Sequence, residues 1–161
     1  MLESGTQRAD DARVKIQARR GSSRAGFTLL ELMMVVFVIG VLEEGFYSEY
    51  ETYQSATAEP AAIPGAVAAI FDGVNSDFAS LGFAPEGQVY FSYGVAVSGD
   101  GSGFTADAAA DIDADGFVQY WGYANSDGGG ALIAGEVGCN VAGIQPETVA
   151  PCTPSSGRTV F

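Results

Sequence analysis

The stretch Arg24-Ala-Gly-Phe-Thr-Leu-Leu-Glu-Leu-Met-Met-Val-Val-Phe-Val-Ile-Gly-Val-Leu42 decides how the rest of the chain is read. A basic leader runs up to Gly26, and residues 27–42 are apolar apart from Thr28, Gly40 and one carboxylate, Glu31. A carboxylate within such a run is costly in lipid and marks function. Upstream, residues 1–26 are polar, contain Gly5, Gly21, Ser22 and Ser23, and have no apolar period, so they read as a cytoplasmic leader outside the fold. Arg19, Arg20 and Arg24 hold that leader inside by the positive-inside rule. An ordinary secretory signal places its apolar region before the small-residue cleavage site. Here Gly26 precedes the apolar run, so a cut after Gly26 keeps that run in the mature protein.

Charge divides the 161-residue chain in the same way. Six of its seven basic residues precede Phe27, and the seventh is Arg158. Seventeen of its 20 acidic residues follow Phe27. Such a surface repels nucleic acid and anionic headgroups, which argues against direct nucleic-acid binding. Assembly of many such subunits would need counterions, a divalent metal or a cationic partner. There is no histidine, and no carboxylate is paired with a base or nucleophile in the pattern catalysis requires, so the expectation is that the chain is not an enzyme. The glycines around Asp100 open no helix and form no phosphate cradle.

Gly26-Phe-Thr-Leu-Leu-Glu31 resembles the processing site of type IV pilins and of the related pseudopilins of type II secretion. The resemblance implies cleavage after Gly26 by a prepilin peptidase and methylation of the new terminus at Phe27. It also implies assembly through the N-terminal helix. The amine of Phe27 on an incoming subunit would pair with Glu31 of a neighbour, which costs far less in lipid than a lone charge. The plainer alternative for Glu31 is a carboxylate favoured by the helix N-terminal dipole. Expected partners are other copies of the chain in a helical filament, the prepilin peptidase and the inner-membrane assembly machinery. Expected localisation is the inner membrane and then an extracellular filament or a periplasmic pseudopilus, with adhesion and motility among the roles such filaments serve.

The chain departs from the family after Leu42. The sixteen residues 27–42 span about 24 Å as helix, short of the roughly 20 residues that cross a bilayer. Glu43-Glu44-Gly45 then stands where the family usually continues with small apolar residues and a proline. The expectation is a shortened anchor ending in two charges that nothing nearby neutralises.

An outer helix is expected over 43–81, interrupted near Pro60 and Pro64. Phe46, Tyr50, Tyr53 and Thr57 fall on one helical face, and Val67, Ile70, Phe71, Val74, Phe78 and Leu81 on another. Residues 82–161 read as an antiparallel strand-rich head. Val89 to Val97 alternate in one strand, Phe104 to Ala110 in a second and Phe117 to Tyr123 in a third, and Ala131 to Val137 would add an edge strand. The turn from Leu81 to Gly87, followed by a Tyr-rich strand, also resembles a subgroup of type IV pilins. The predicted fold is therefore α+β, a long kinked N-terminal helix on a small antiparallel sheet, with a C-terminal cysteine loop.

Cys139 and Cys152 are either free thiols in a reducing compartment or, after export, a pair closing a short loop worth about 3 kcal/mol. In pilins the corresponding disulfide-bounded region is the exposed, variable part of the subunit. Asp111-Ile-Asp-Ala-Asp115-Gly116 has the spacing of the first half of a calcium loop, with Asp111, Asp113 and Asp115 as candidate ligands. The second half fails, because Gly122 stands where an EF-hand needs a bidentate Glu. Backbone carbonyls, Asp100, Asp107 or Asp127 would have to complete a calcium site, and a solvated acidic turn is the alternative. In function the expectation is a filament subunit, with a pseudopilin or a minor adhesive subunit as runners-up.

Overall fold

A computed structural model of the chain describes residues 29–152. Helix α1 (Leu29–Tyr50) begins with helix formers that lack β-branching. It stops where Glu51 adopts φ 58°, its N–H bonding the Tyr47 carbonyl at 2.8 Å. Strand β1 (Ala56–Glu59) follows, then β2 (Ala69–Ile70), the single turn α2 (Phe78–Leu81), β3 (Gln88–Val89), β4 (Ser92–Val97), β5 (Phe104–Ala110), β6 (Gln119–Asn125) and β7 (Ala150–Pro151). The main sheet is antiparallel in the order β1-β4-β5-β6-β7, and β2 and β3 form a separate two-stranded ladder.

One stripe of α1 docks on this sheet. Leu32, Val36 and Ile39 are buried at i, i+4 and i+7, in one core with Phe104, Ala106, Ala108 and Ala110 of β5. The alanines keep the strand surface low, so the helix approaches closely. Gly40 faces the Tyr123 ring, and a methyl group there would come within 2.9 Å of it. Burying the three apolar chains of the stripe contributes roughly 5–9 kcal/mol as an upper estimate. On the opposite side of α1, Met34, Phe37, Val38 and Val41 are exposed. Among the described residues, no helix is long and apolar enough to cross a membrane.

The helix expected over 43–81 ends at Tyr50, and two local competitors explain why. Residues 56–59 are taken up as an edge strand, with Ala56 opposite Val95. Further on, the Asp72 carboxylate accepts the backbone N–H groups of Val74 at 3.1 Å and Asn75 at 2.9 Å, a side-chain turn that displaces helix. Beside it, Gly73 lies against Ala84 too closely to admit a Cβ. The apolar series of residues 67–81 is accordingly split. Phe71, Phe78 and Leu81 are buried with Phe83, Phe91 and Tyr93, whereas Val67 and Val74 are each 81% exposed and Ile70 is 74% exposed.

Of the strands read from alternation, β5 covers Phe104 to Ala110 as read, whereas the strand expected from Val89 to Val97 is split between β3 and β4 and the one expected from Phe117 begins at Gln119. The expected edge strand over 131–137 is replaced. That segment crosses the sheet face without strand structure, and the edge position beside β6 goes to β7, where Pro151 lies opposite Trp121. As a test of the split series, Phe78→Ala should destabilise the fold by about 3–5 kcal/mol, while Val74→Ala should stay within about 0.5 kcal/mol. Equal losses in urea unfolding would restore the single helical face.

Candidate functional site

The processing residues Gly26 and Phe27 lie outside the described residues. Glu31 falls in the first turn of α1, one residue before the docked Leu32. Its side chain lies outside the description, as does the contact expected between it and Phe27.

At the other end of α1, Glu43 and Glu44 are not the free charges that the sequence suggests. Glu43 is 0% exposed, the next member of the stripe Leu32, Val36, Ile39, and its Oε2 accepts the Gln54 N–H at 3.0 Å. Glu44 Oε1 accepts from Asn125 Nδ2 at 2.9 Å, and the Tyr53 hydroxyl lies 3.4 Å from it. Asn125 also donates to the Tyr53 hydroxyl at 2.9 Å. Tyr53 stacks on Tyr47, at 4.6 Å between ring centroids, and meets Phe104 at a tilt, also at 4.6 Å. The two glutamates thus tie the helix end to the 51–55 segment and to the end of β6.

Cys139 and Cys152 form a disulfide that closes a loop of sequence separation 13. Both are buried, with Ala124 and Ile144, in a second small core. Its seat on the sheet is made by Asp107, which the sequence reading considered only as a spare calcium ligand. Asp107 is 0% exposed on the face of β5 away from α1. Its carboxylate accepts the N–H groups of Val137 and Gly138 at 3.1 Å and of Cys139 at 3.0 Å. On the same face, the Thr105 hydroxyl donates to the Ile133 carbonyl at 2.8 Å.

Glycines beside Asp107 make the room. In register, Gly94 of β4 and Gly122 of β6 flank it. A Cβ at Gly94 would come within 2.7 Å of Glu136 Cβ, and one at Gly122 within 2.8 Å of Cys139 Sγ. Burial pushes the Asp107 carboxyl up to about 6 while the N–H groups of Cys139, Val137 and Gly138 pull it down, so it is an acceptor at neutral pH. The legible signal was a polar residue at an alternate position of an otherwise small-residue strand, upstream of a glycine-rich cysteine segment.

Asp111, Asp113 and Asp115 do converge. One oxygen from each lies within 4.8 Å of the others. Oxygens on opposite sides of a calcium ion sit about 5 Å apart, so the donor set fits a hard cation held by oxygen. The turn is also closed without an ion, since Asp111 accepts the N–H groups of Asp115 and Gly116, each at 3.1 Å. Asp107 is engaged by residues 137–139, the strap that leads into the disulfide loop, and Asp100 is bound to Ser98 and Ser102. Asp127 accepts the N–H groups of Gly129 and Ala131.

Residues 21–42 match the family model described as the prokaryotic N-terminal methylation motif. That motif is the signature of type IV pilins and pseudopilins and implies processing by a prepilin peptidase. No curated protein and no solved structure matches the chain. Below the motif, the structure supplies a helix on an antiparallel sheet and a disulfide-closed loop held by one buried carboxylate.

Asp107→Ala would leave three strap N–H groups without their acceptor, at about 1–3 kcal/mol for each that water cannot reach. The expected result is a loss of about 2–4 kcal/mol in unfolding free energy and faster proteolysis within residues 131–138. An unchanged stability would show that the strap does not depend on Asp107.

Proposed function

We propose that the chain is a structural, non-catalytic subunit of a type IV pilus-like filament. It would be exported, cleaved after Gly26, methylated on Phe27 and assembled through its N-terminal helix. The observation that carries this reading is the methylation motif over residues 21–42, with Glu31 inside an otherwise apolar run that continues into α1. In that filament the exposed face of Met34, Phe37, Val38 and Val41 packs against neighbouring helices, and the disulfide loop lies outward. Before assembly the subunit rests in the inner membrane, and the Phe27 amine of an incoming copy pairs with Glu31.

A pseudopilin of type II secretion is the second reading, favoured by the convergent Asp111, Asp113 and Asp115 as a calcium site. A minor adhesive subunit would use the cysteine loop for recognition.

Glu31→Ala should be exported and processed as the parent is, yet yield no filaments by electron microscopy of cells. Normal filaments would refute the assembly mechanism. For the metal, millimolar calcium should raise the melting temperature of the full chain relative to chelator, and Asp113→Asn should abolish the rise. An equal melting temperature in both would remove calcium.

A further inference from the structure

The docked stripe of α1 ends on an acid. Glu43 stands one residue beyond the apolar segment 27–42, fully buried, with Oε2 on the Gln54 N–H and Oε1 buried without a hydrogen-bond partner. The titratable groups around it are all acidic. Glu44 and Tyr47 share its helix, Tyr53 lies in the 51–55 segment, and Tyr123 is on β6 against Gly40. On the other elements near α1, Asp77 at the start of α2 is held by Thr57, Glu59 of β1 accepts the Asp72 N–H, and Asp107 lies on the far face of β5. No Lys, Arg or His occurs among the described residues, so no cation reaches this acid from within them.

A carboxylate oxygen buried without a donor, beside a second carboxylate, is costly, and a proton on that oxygen removes the cost. We propose that Glu43 is a proton-operated latch, which holds α1 on the sheet when protonated and, when ionised, frees the helix and uncovers Leu32, Val36 and Ile39. Burial pushes the Glu43 carboxyl up to about 7, against the pull of the Gln54 N–H and with a further push from Glu44. With α1 lifted, the carboxyl returns toward its ordinary 4.5, so the docked form is the one that binds the proton more tightly. Docking is therefore strongest in acid and weakens as pH rises through about 7. Use of the freed stripe in assembly rests on the filament reading, whereas the latch itself does not.

Hydrogen exchange of the full chain in detergent micelles tests it, with rates corrected for intrinsic pH dependence. Between pH 6 and 8.5, protection of amides in residues 32–43 should fall about ten-fold, while the amides of β5 keep theirs. Glu43→Gln cannot ionise and should hold protection constant across the range. Unchanged protection in the parent, a parallel loss in β5, or the same loss in Glu43→Gln would overturn the latch. The ¹³C carboxyl resonance of Glu43 in the parent chain gives a reading that needs no variant. A midpoint near 7 supports the proposal and one near 4.5 contradicts it.

Discussion

Strand β5 is buried on both faces at all seven of its positions, and the rest of the molecule is disposed to cover it. Phe104, Ala106, Ala108 and Ala110 take the stripe of α1, while Thr105 and Asp107 take the segment that leads to the disulfide. A strand covered twice cannot leave polar groups to water, so each polar side chain on it must find a partner within the protein. Thr105 finds a carbonyl, and Asp107 finds the N–H groups of the strap. The helix that the methylation motif opens and the loop that the disulfide closes are thereby linked through one strand.

The second constraint is charge. Residues 29–152 hold seventeen acidic side chains and no basic one. No ion pair can therefore form among the described residues, and a buried acid there depends on backbone N–H groups or on a proton. Asp107 uses the first solution with three strap residues, and Glu43 has only one such donor for its two oxygens. On the surface, Asp72, Asp77 and Asp100 are drawn below the usual carboxylate range by nearby N–H and O–H groups. The carboxylates replace ion pairs with turn-closing hydrogen bonds, which suits a loop-rich head.

Much of this was legible in residue order. The period-two pattern marked β4, β5 and β6 within a few residues, because both flanking faces are regular. The motif at residues 21–42 was legible because its chemistry needs particular residues at fixed spacing. The helix over residues 67–81 was misread because an apolar period says nothing of competitors such as the Asp72 side chain, which claims the N–H groups a helix would use. Glu43 and Glu44 looked like a defect in the anchor, since their partners, Gln54 and Asn125, are brought in by tertiary folding. Asp107 stood out as a polar residue in a small-residue strand, but its role did not, because its partners lie thirty or more residues downstream.

The proposed function joins a motif-bearing N-terminal helix to the sheet on which it packs. Its central claim is tested most directly by shearing surface filaments from cells and determining the N-terminus and mass of their subunits. The account predicts a chain that begins at methylated Phe27 and retains the Cys139–Cys152 disulfide. Recovery of the chain only in cell membranes, with residues 1–26 still attached, would contradict it.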